Sequence, residues 1–198
     1  MLSGKKAKFQ KFFDYFVMPL KKTGVSANQL TIISLFLAFL FFYAMVSGSY
    51  ILALIFLIVS IFLDALDGHL ARLTRTASVY GAYLDTIIDR YVEFIIYLSL
   101  FFIVLPKIIF ESSVWISLCI FGSLMTTYVK AAFTEKTKKD FSGGLLERAE
   151  RMLIIILGVF LLNFSATYLV YILIFLAILT NLSAILRISK ALQLCARN

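Results

Sequence analysis

Apolar residues run along this chain in long blocks, broken by short polar interruptions. The first block differs from the rest. Within residues 5–18, Phe9, Phe12, Phe13 and Phe16 recur at helical spacing, with Lys5, Lys8 and Lys11 on the other side. This predicts a helix lying in a membrane interface. Pro19, Lys21, Lys22 and Gly24 predict a turn after it. A first span is predicted from about Asn28 to Val46, closed by Ser47, Gly48 and Ser49. Tyr50 to Leu63 is an apolar run but too short to cross alone, so its helix continues through Asp64 and Asp67 toward Arg75. A third span is predicted from about Ser78 to Leu105, ended by Pro106 and Lys107, and a fourth from about Val114 to Lys130. Residues 134–144 are polar and basic, a predicted loop. The apolar stretch from Met152 to Leu179 exceeds one ordinary span. Asn163, Ser165 and Thr167 offer a turn in its middle, giving spans five and six; one long tilted helix is the alternative. The expectation is an all-α membrane protein: one domain over 1–198, with six spans over about 28–190 behind the interfacial helix.

Composition agrees. The 198 residues are 62% hydrophobic, with mean hydropathy +0.96, where a soluble domain sits near roughly 45–50% apolar. Little chain remains for an aqueous domain, so any site must be built from helices and their connections. The net charge of +8 would suggest nucleic acid in a soluble protein; here it sets topology. Six lysines precede span one, Arg72 and Arg75 follow span two, and six cations lie between Lys130 and Arg151. Arg187, Lys190 and Arg197 follow span six, and the opposite-side turns hold only Lys107. That asymmetry puts both termini and the acidic segment on the cytoplasmic side. Cys119 reads as core and Cys195 as tail, with no disulfide framework. No cleavable leader is evident, because the basic start runs into an amphipathic stretch.

Four carboxylates stand out against this apolar background. Asp64 and Asp67 are three apart, and Asp85 and Asp89 four apart, so each pair shares a helical face. A short connection joins the two helices, which lets all four converge. Carboxylates near hydrocarbon persist with a partner or a task. Four of them suit a hard divalent cation such as Mg2+ or Mn2+, and two such ions can bridge a phosphoryl group. Gly68, Ala71, Gly81 and Ala82 leave room for close approach by a helix or a ligand. Arg72 offers a planar fork for phosphate. His69, the single histidine, reads as a spacer. Ion pairing with Arg72, Arg75 and Arg90 is the plainer alternative.

The pattern resembles the signature of the CDP-alcohol phosphotransferase family, D-x2-D-G-x2-A-R-x8-G-x3-D-x3-D. Asp64, Asp67, Gly68, Ala71, Arg72, Gly81, Asp85 and Asp89 occupy its fixed positions. The resemblance implies a six-span homodimer with a short interfacial helix. It also implies transfer of a phosphate-linked lipid from a CDP-lipid to an alcohol, with release of CMP. Asp64, Asp67 and Asp85 would bind metal. Asp89 would deprotonate the attacking hydroxyl and also reach a second ion. Gly68, Ala71, Arg72 and Gly81 would surround the nucleotide. Asn28 and Thr31 resemble polar residues that open the first span and face the nucleotide, although Ala27 stands where the family usually has proline. A helix cap at Ser26 or Asn28 explains the same residues equally well.

The acceptor is read elsewhere. Lys130-Ala-Ala-Phe-Thr-Glu135, Gly143-Gly144 leading into Glu147-Arg148-Ala-Glu150-Arg151, and Arg187 look like the phosphatidylinositol-phosphate and archaetidylinositol-phosphate synthase branch. Ala132 departs from the arginine usual there. Lys130, Arg148, Arg151 and Arg187 suit a phosphorylated acceptor such as inositol 1-phosphate, with glycerol 3-phosphate as the alternative. Arg151 is favoured over Arg148 as the one facing the pocket, with Glu147 and Glu150 orienting them. The same cations also fit a purely topological role, and Lys136, Lys138 and Lys139 read as solvated surface. Two rivals keep the acids but change the function. A divalent-metal transporter would place them near the midplane on broken helices, and a prenyltransferase would carry two separate aspartate-rich motifs.

Overall fold

The computed structural model describes the backbone of residues 2–139 and 144–196, with side chains from Phe13 onward. Seven α-helices account for most of these residues: α1 (Leu2–Thr23), α2 (Ala27–Val46), α3 (Tyr50–Leu73), α4 (Val79–Ser99), α5 (Ser112–Thr137), α6 (Arg148–Leu162) and α7 (Ala166–Ala196). No strand occurs among the described residues. Helices α2, α3, α5 and α7 are long and apolar enough to cross a membrane. The molecule is therefore all-helical and membrane-embedded. Helix α4 has 21 residues but carries Asp85, Asp89, Arg90 and Glu93, and α6 has 15 residues.

The chain forms two compact units, one of residues 1–43 and 55–96, the other of 44–54 and 97–198. In the first, Val17, Leu30, Leu66 and Leu70 are buried together, with Phe13, Leu20, Phe62 and Leu73 against them. The stripe Phe13–Val17–Leu20 continues across Pro19, and it explains why α1 does not stop there. The expected turn at Pro19 is thus displaced to Gly24, whose φ of +75° permits the reversal. Proline removes one backbone donor on an exposed face, while the apolar contact on the other face persists. Ser60 Oγ donates to the Ser34 carbonyl at 2.8 Å, tying α2 to α3.

In the second unit, small and polar residues set the helix spacing, as they do in membranes. A Cβ at Gly122 of α5 would stand 2.8 Å from the Thr180 Cβ and 2.9 Å from the Asn181 backbone nitrogen of α7. Asn181 Nδ2 donates to the Leu118 carbonyl at 2.9 Å, and Cys119 Sγ to that of Leu173 at 3.3 Å. Gly158 of α6 packs against Leu169 and Ile172 of α7. Cys119 is buried and Cys195 exposed, both as free thiols.

Two predicted boundaries move. The α-helix expected to reach Leu105 ends at Ser99 and passes through a 3-10 turn, Leu100–Phe102. The following loop is pinned instead by Ser112 Oγ on the Pro106 carbonyl (2.8 Å) and Trp115 Nε1 on that of Ile108 (3.0 Å). The loop expected from Thr134 begins later, because α5 continues to Thr137 and closes on a left-handed Lys138. Lys136, Lys138 and Lys139 are exposed, as expected of a solvated run; Asp140 and Gly143 lie outside the described residues. The turn expected in the middle of the apolar stretch from Met152 to Leu179 is found, at Asn163–Ser165 between α6 and α7.

Candidate active site

A cavity of about 470 Å³ opens within the first unit. Its wall is built from the end of α1, the start of α2, the last turns of α3 and the start of α4. Asn28, Thr31, Asp67, Gly68, Ala71, Arg72, Gly81 and Asp85 all line it. One carboxylate oxygen from each of Asp64, Asp67 and Asp85 lies within 4.8 Å of the others. The short link Thr74–Ser78 makes this possible. It is folded by Thr74 Oγ1 on the Leu70 carbonyl (2.8 Å), by Thr76 N–H on that of Ala71 (3.0 Å) and by Arg75 at φ +57°. It thereby returns α4 beside the end of α3.

Asp67 is buried, 4% exposed, and Asp64 and Asp85 are half-buried. Thr31 Oγ1 donates to Asp67 Oδ2, across from α2 to α3, and so fixes the carboxylate's orientation. An all-oxygen set of three carboxylates fits a hard divalent ion and offers nothing to a soft one. Asp89, one turn beyond Asp85, is outside this group of three. Its Oδ2 stands 3.8 Å from Arg90 Nη2, and Arg90 Nη1 donates to Glu93 Oε2 at 2.8 Å. Glu93 is 4% exposed, so a buried acid on α4 holds the guanidinium beside Asp89.

The glycines separate by role. A Cβ at Gly68 would meet nothing closer than the Arg72 side chain at 3.5 Å. It leaves room in the cavity and is not a helix-packing residue. A Cβ at Gly81 would lie 3.1 Å from Asn28 Oδ1 and 3.3 Å from Ser78 Oγ. The ambiguity over Ser26 and Asn28 resolves: Ser26 Oγ accepts from Gln29 N–H (3.3 Å) and Gln29 Oε1 from Ser26 N–H (2.8 Å), a capping box. Asn28 is left to the cavity. His69 is more than a spacer, since its Nε2 pairs with Asp14 Oδ1 of α1 at 2.7 Å. Lys21, Ser26, Thr74, Thr76 and Ser78 also line the cavity. Sequence spacing missed them because they lie on the ends and links of helices, outside any repeat.

The expected acceptor cations lie in the second unit. Arg187 Nη1 donates to the Thr126 carbonyl at 2.7 Å, one turn before Lys130 on α5. Arg151 is 2% exposed. Its charge repels Arg187, and that of Glu147 attracts it. Arg187 is thus within electrostatic reach of Arg151, while Lys130 is exposed one turn along α5 and Arg148 half-buried at the start of α6. Gly144 rests on Arg187: a Cβ there would meet its Nε at 2.5 Å. Glu147 and Glu150, expected to orient the arginines, also have a structural task. They form the α6 capping box, with Glu150 Oε2 accepting from Glu147 N–H at 2.8 Å.

Comparison with known proteins follows the same outline. The sequence matches the CDP-alcohol phosphatidyltransferase family over residues 24–184. It is 35% identical over 158 residues to archaetidylinositol phosphate synthase of Pyrococcus horikoshii, covering 80% of this chain and 81% of that one. It is 33% identical over 168 residues to a bifunctional IPC transferase and DIPP synthase of Aquifex aeolicus, covering 81% of this chain and 37% of that longer protein. The fold resembles Mycobacterium tuberculosis phosphatidylinositol phosphate synthase in complex with manganese and citrate, with TM-score 0.77, 21% identity and coverage of 90% and 88%. The same enzyme with CDP-DAG bound gives TM-score 0.77, 20% identity and coverage of 91% and 94%. With the eight signature positions gathered on α3 and α4 and the match running through most of the chain, this protein belongs to the CDP-alcohol phosphatidyltransferase family of enzymes.

Proposed function

We propose that this enzyme transfers a lipid-linked phosphate from CDP-diacylglycerol or CDP-archaeol to a hydroxyl of inositol 1-phosphate, releasing CMP. The observation that carries this is the cluster of Asp64, Asp67 and Asp85 at a cavity lined by Arg72, Asn28 and Thr31. The acceptor is supported by the Pyrococcus relative, named for archaetidylinositol phosphate synthesis. Arg151 and Arg187, cations within electrostatic reach of each other, also suit a phosphate dianion.

In this reading the acceptor oxygen forms a bond to the phosphorus that carries the lipid. The bond from that phosphorus to CMP breaks, and its electron pair leaves on the CMP phosphate. Asp89 takes the hydroxyl proton, as a carboxylate within reach of an acceptor can. Asp64, Asp67 and Asp85 would hold the divalent ion, and Asp89 would also contribute to a second. Mg2+ or Mn2+, when bound, neutralises the diphosphate and stabilises the leaving group. Gly68, Ala71, Arg72, Gly81, Asn28 and Thr31 surround the nucleotide. Lys130, Arg148, Arg151 and Arg187 hold the acceptor phosphate. Helices α2 to α7 are the six spans of one membrane domain, α1 lies in the interface, and the motif and both termini face the cytoplasm. The lysine and arginine asymmetry supports that orientation. The working unit is a homodimer, as the family resemblance implies.

CMP release by purified protein with Mg2+ and each CDP-lipid tests the proposal, comparing inositol 1-phosphate, glycerol 3-phosphate, free inositol and serine. Turnover with inositol 1-phosphate alone is expected. Preference for glycerol 3-phosphate would keep the aspartate chemistry and overturn the acceptor. No release with any acceptor, from folded protein, would turn the reading to transport or binding.

A further inference from the structure

One wall of the cavity comes from outside the family signature. Helix α1 continues past Pro19, and Lys21 in its last turn lines the same cavity as Asp67, Asp85 and Arg72. This part of α1 is well fixed. Val17 is fully buried against α3, Phe16 meets Phe62 edge-on at 5.0 Å, and Asp14 pairs with His69 at 2.7 Å. The neighbouring Lys22 instead borders a separate groove with Asp14, Tyr15, Met18 and Pro19. Two adjacent lysines with the same sequence environment therefore face different places.

Charge balance gives Lys21 a task. Asp64, Asp67 and Asp85 each offer a carboxylate oxygen to the cluster, and a nucleoside diphosphate ester brings about two negative charges of its own. Arg72 is one cation on the cavity wall that can face that diphosphate. Lys21 is the other cation among its described lining residues. Its ammonium is a compact charge on a flexible stem, suited to following a phosphate oxygen.

We infer that Lys21 is a substrate-binding residue whose ammonium engages the diphosphate of the lipid-linked nucleotide. The inference rests on the proposed function and adds to it a contact supplied by the interfacial helix. It is tested with the purified protein in detergent with zwitterionic lipid, and in parallel in vesicles with and without anionic lipid. Free CDP is titrated in the presence of Mn2+, and KM is measured for the CDP-lipid and for the acceptor. Lys21→Met should weaken CDP binding about tenfold, the scale of one charge-assisted contact, and raise the CDP-lipid KM in parallel. The acceptor KM should not move, Lys21→Arg should restore most of the affinity, and Lys22→Met should behave as wild type. Lys21→Gln provides a second neutral variant should the methionine form aggregate. Equal behaviour of the Lys21 and Lys22 variants would overturn the inference. So would a defect confined to membranes containing anionic lipid, which would assign Lys21 to bilayer headgroups. Wild-type protein that neither binds CDP nor releases CMP would instead overturn the proposed function itself.

Discussion

Residues 1–43 with 55–96 gather their carboxylates from two consecutive helices. Residues 44–54 with 97–198 gather their cations from three helices spread between Lys130 and Arg187. In the first unit, a spacing of three on α3, a spacing of four on α4 and a five-residue link bring Asp64, Asp67 and Asp85 together. Local geometry does nearly all of that work. In the second, Arg187 reaches the Thr126 carbonyl only because α7 lies close to α5, and Gly122 beneath Thr180 is what allows that closeness. The first arrangement is written in helical periodicity; the second is written in packing. Each can therefore be broken without the other.

The largest effect is expected from the carboxylate cluster. Asp85→Asn should abolish Mn2+-supported CDP binding and CMP release together, because two remaining carboxylates hold the ion poorly; thermal melting with and without Mn2+ would show the lost metal stabilisation. Arg151→Met should act on the other half of the reaction. The KM for inositol 1-phosphate should rise about 10- to 100-fold, the range for losing a charged hydrogen bond, while the KM for CDP-lipid stays put. A parallel loss of CDP-lipid affinity would erase the division between the two units.

Smaller effects separate packing from chemistry. Gly122→Ala should cost on the order of 1–3 kcal/mol, because the added Cβ meets α7 backbone at 2.9 Å. A lower melting temperature with unchanged CDP affinity is the expected result. Ser26→Ala should cost about 1 kcal/mol through the lost cap, and its CDP affinity should change little, since Asn28 rather than Ser26 abuts Gly81.

The legibility of the sequence follows the same division. The grouping of Asp64, Asp67 and Asp85 beside Arg72 and Gly81 was legible because a helix repeats every 3.6 residues and the link is short; the expected convergence of Asp89 with them is not part of that group. The helix boundaries at Val46, Ser49 and Asn163–Ser165 were legible because turn residues interrupt apolar blocks. The continuation of α1 through Pro19 was not, since local preference argued for a turn while the Phe13–Val17–Leu20 contact with α3 is tertiary. His69 looked idle because its partner, Asp14, is 55 residues away. Lys21 and Lys22 were indistinguishable in sequence, being one residue apart on the same basic turn, and only the packing of α1 separates them. Thr31 was anticipated as a nucleotide-facing residue; its hydrogen bond to Asp67 depends on how α2 and α3 meet.

The central claim is that Asp64, Asp67 and Asp85 form the metal cluster while Asp89 serves the acceptor. The most direct measurement compares Asp89→Asn with Asp85→Asn, following CDP binding in Mn2+ and CMP release on the same preparations. The account predicts that Asp89→Asn binds CDP like wild type and releases CMP about 10²- to 10⁴-fold more slowly, whereas Asp85→Asn does neither. Wild-type release by Asp89→Asn, or loss of CDP binding equal to that of Asp85→Asn, would contradict it.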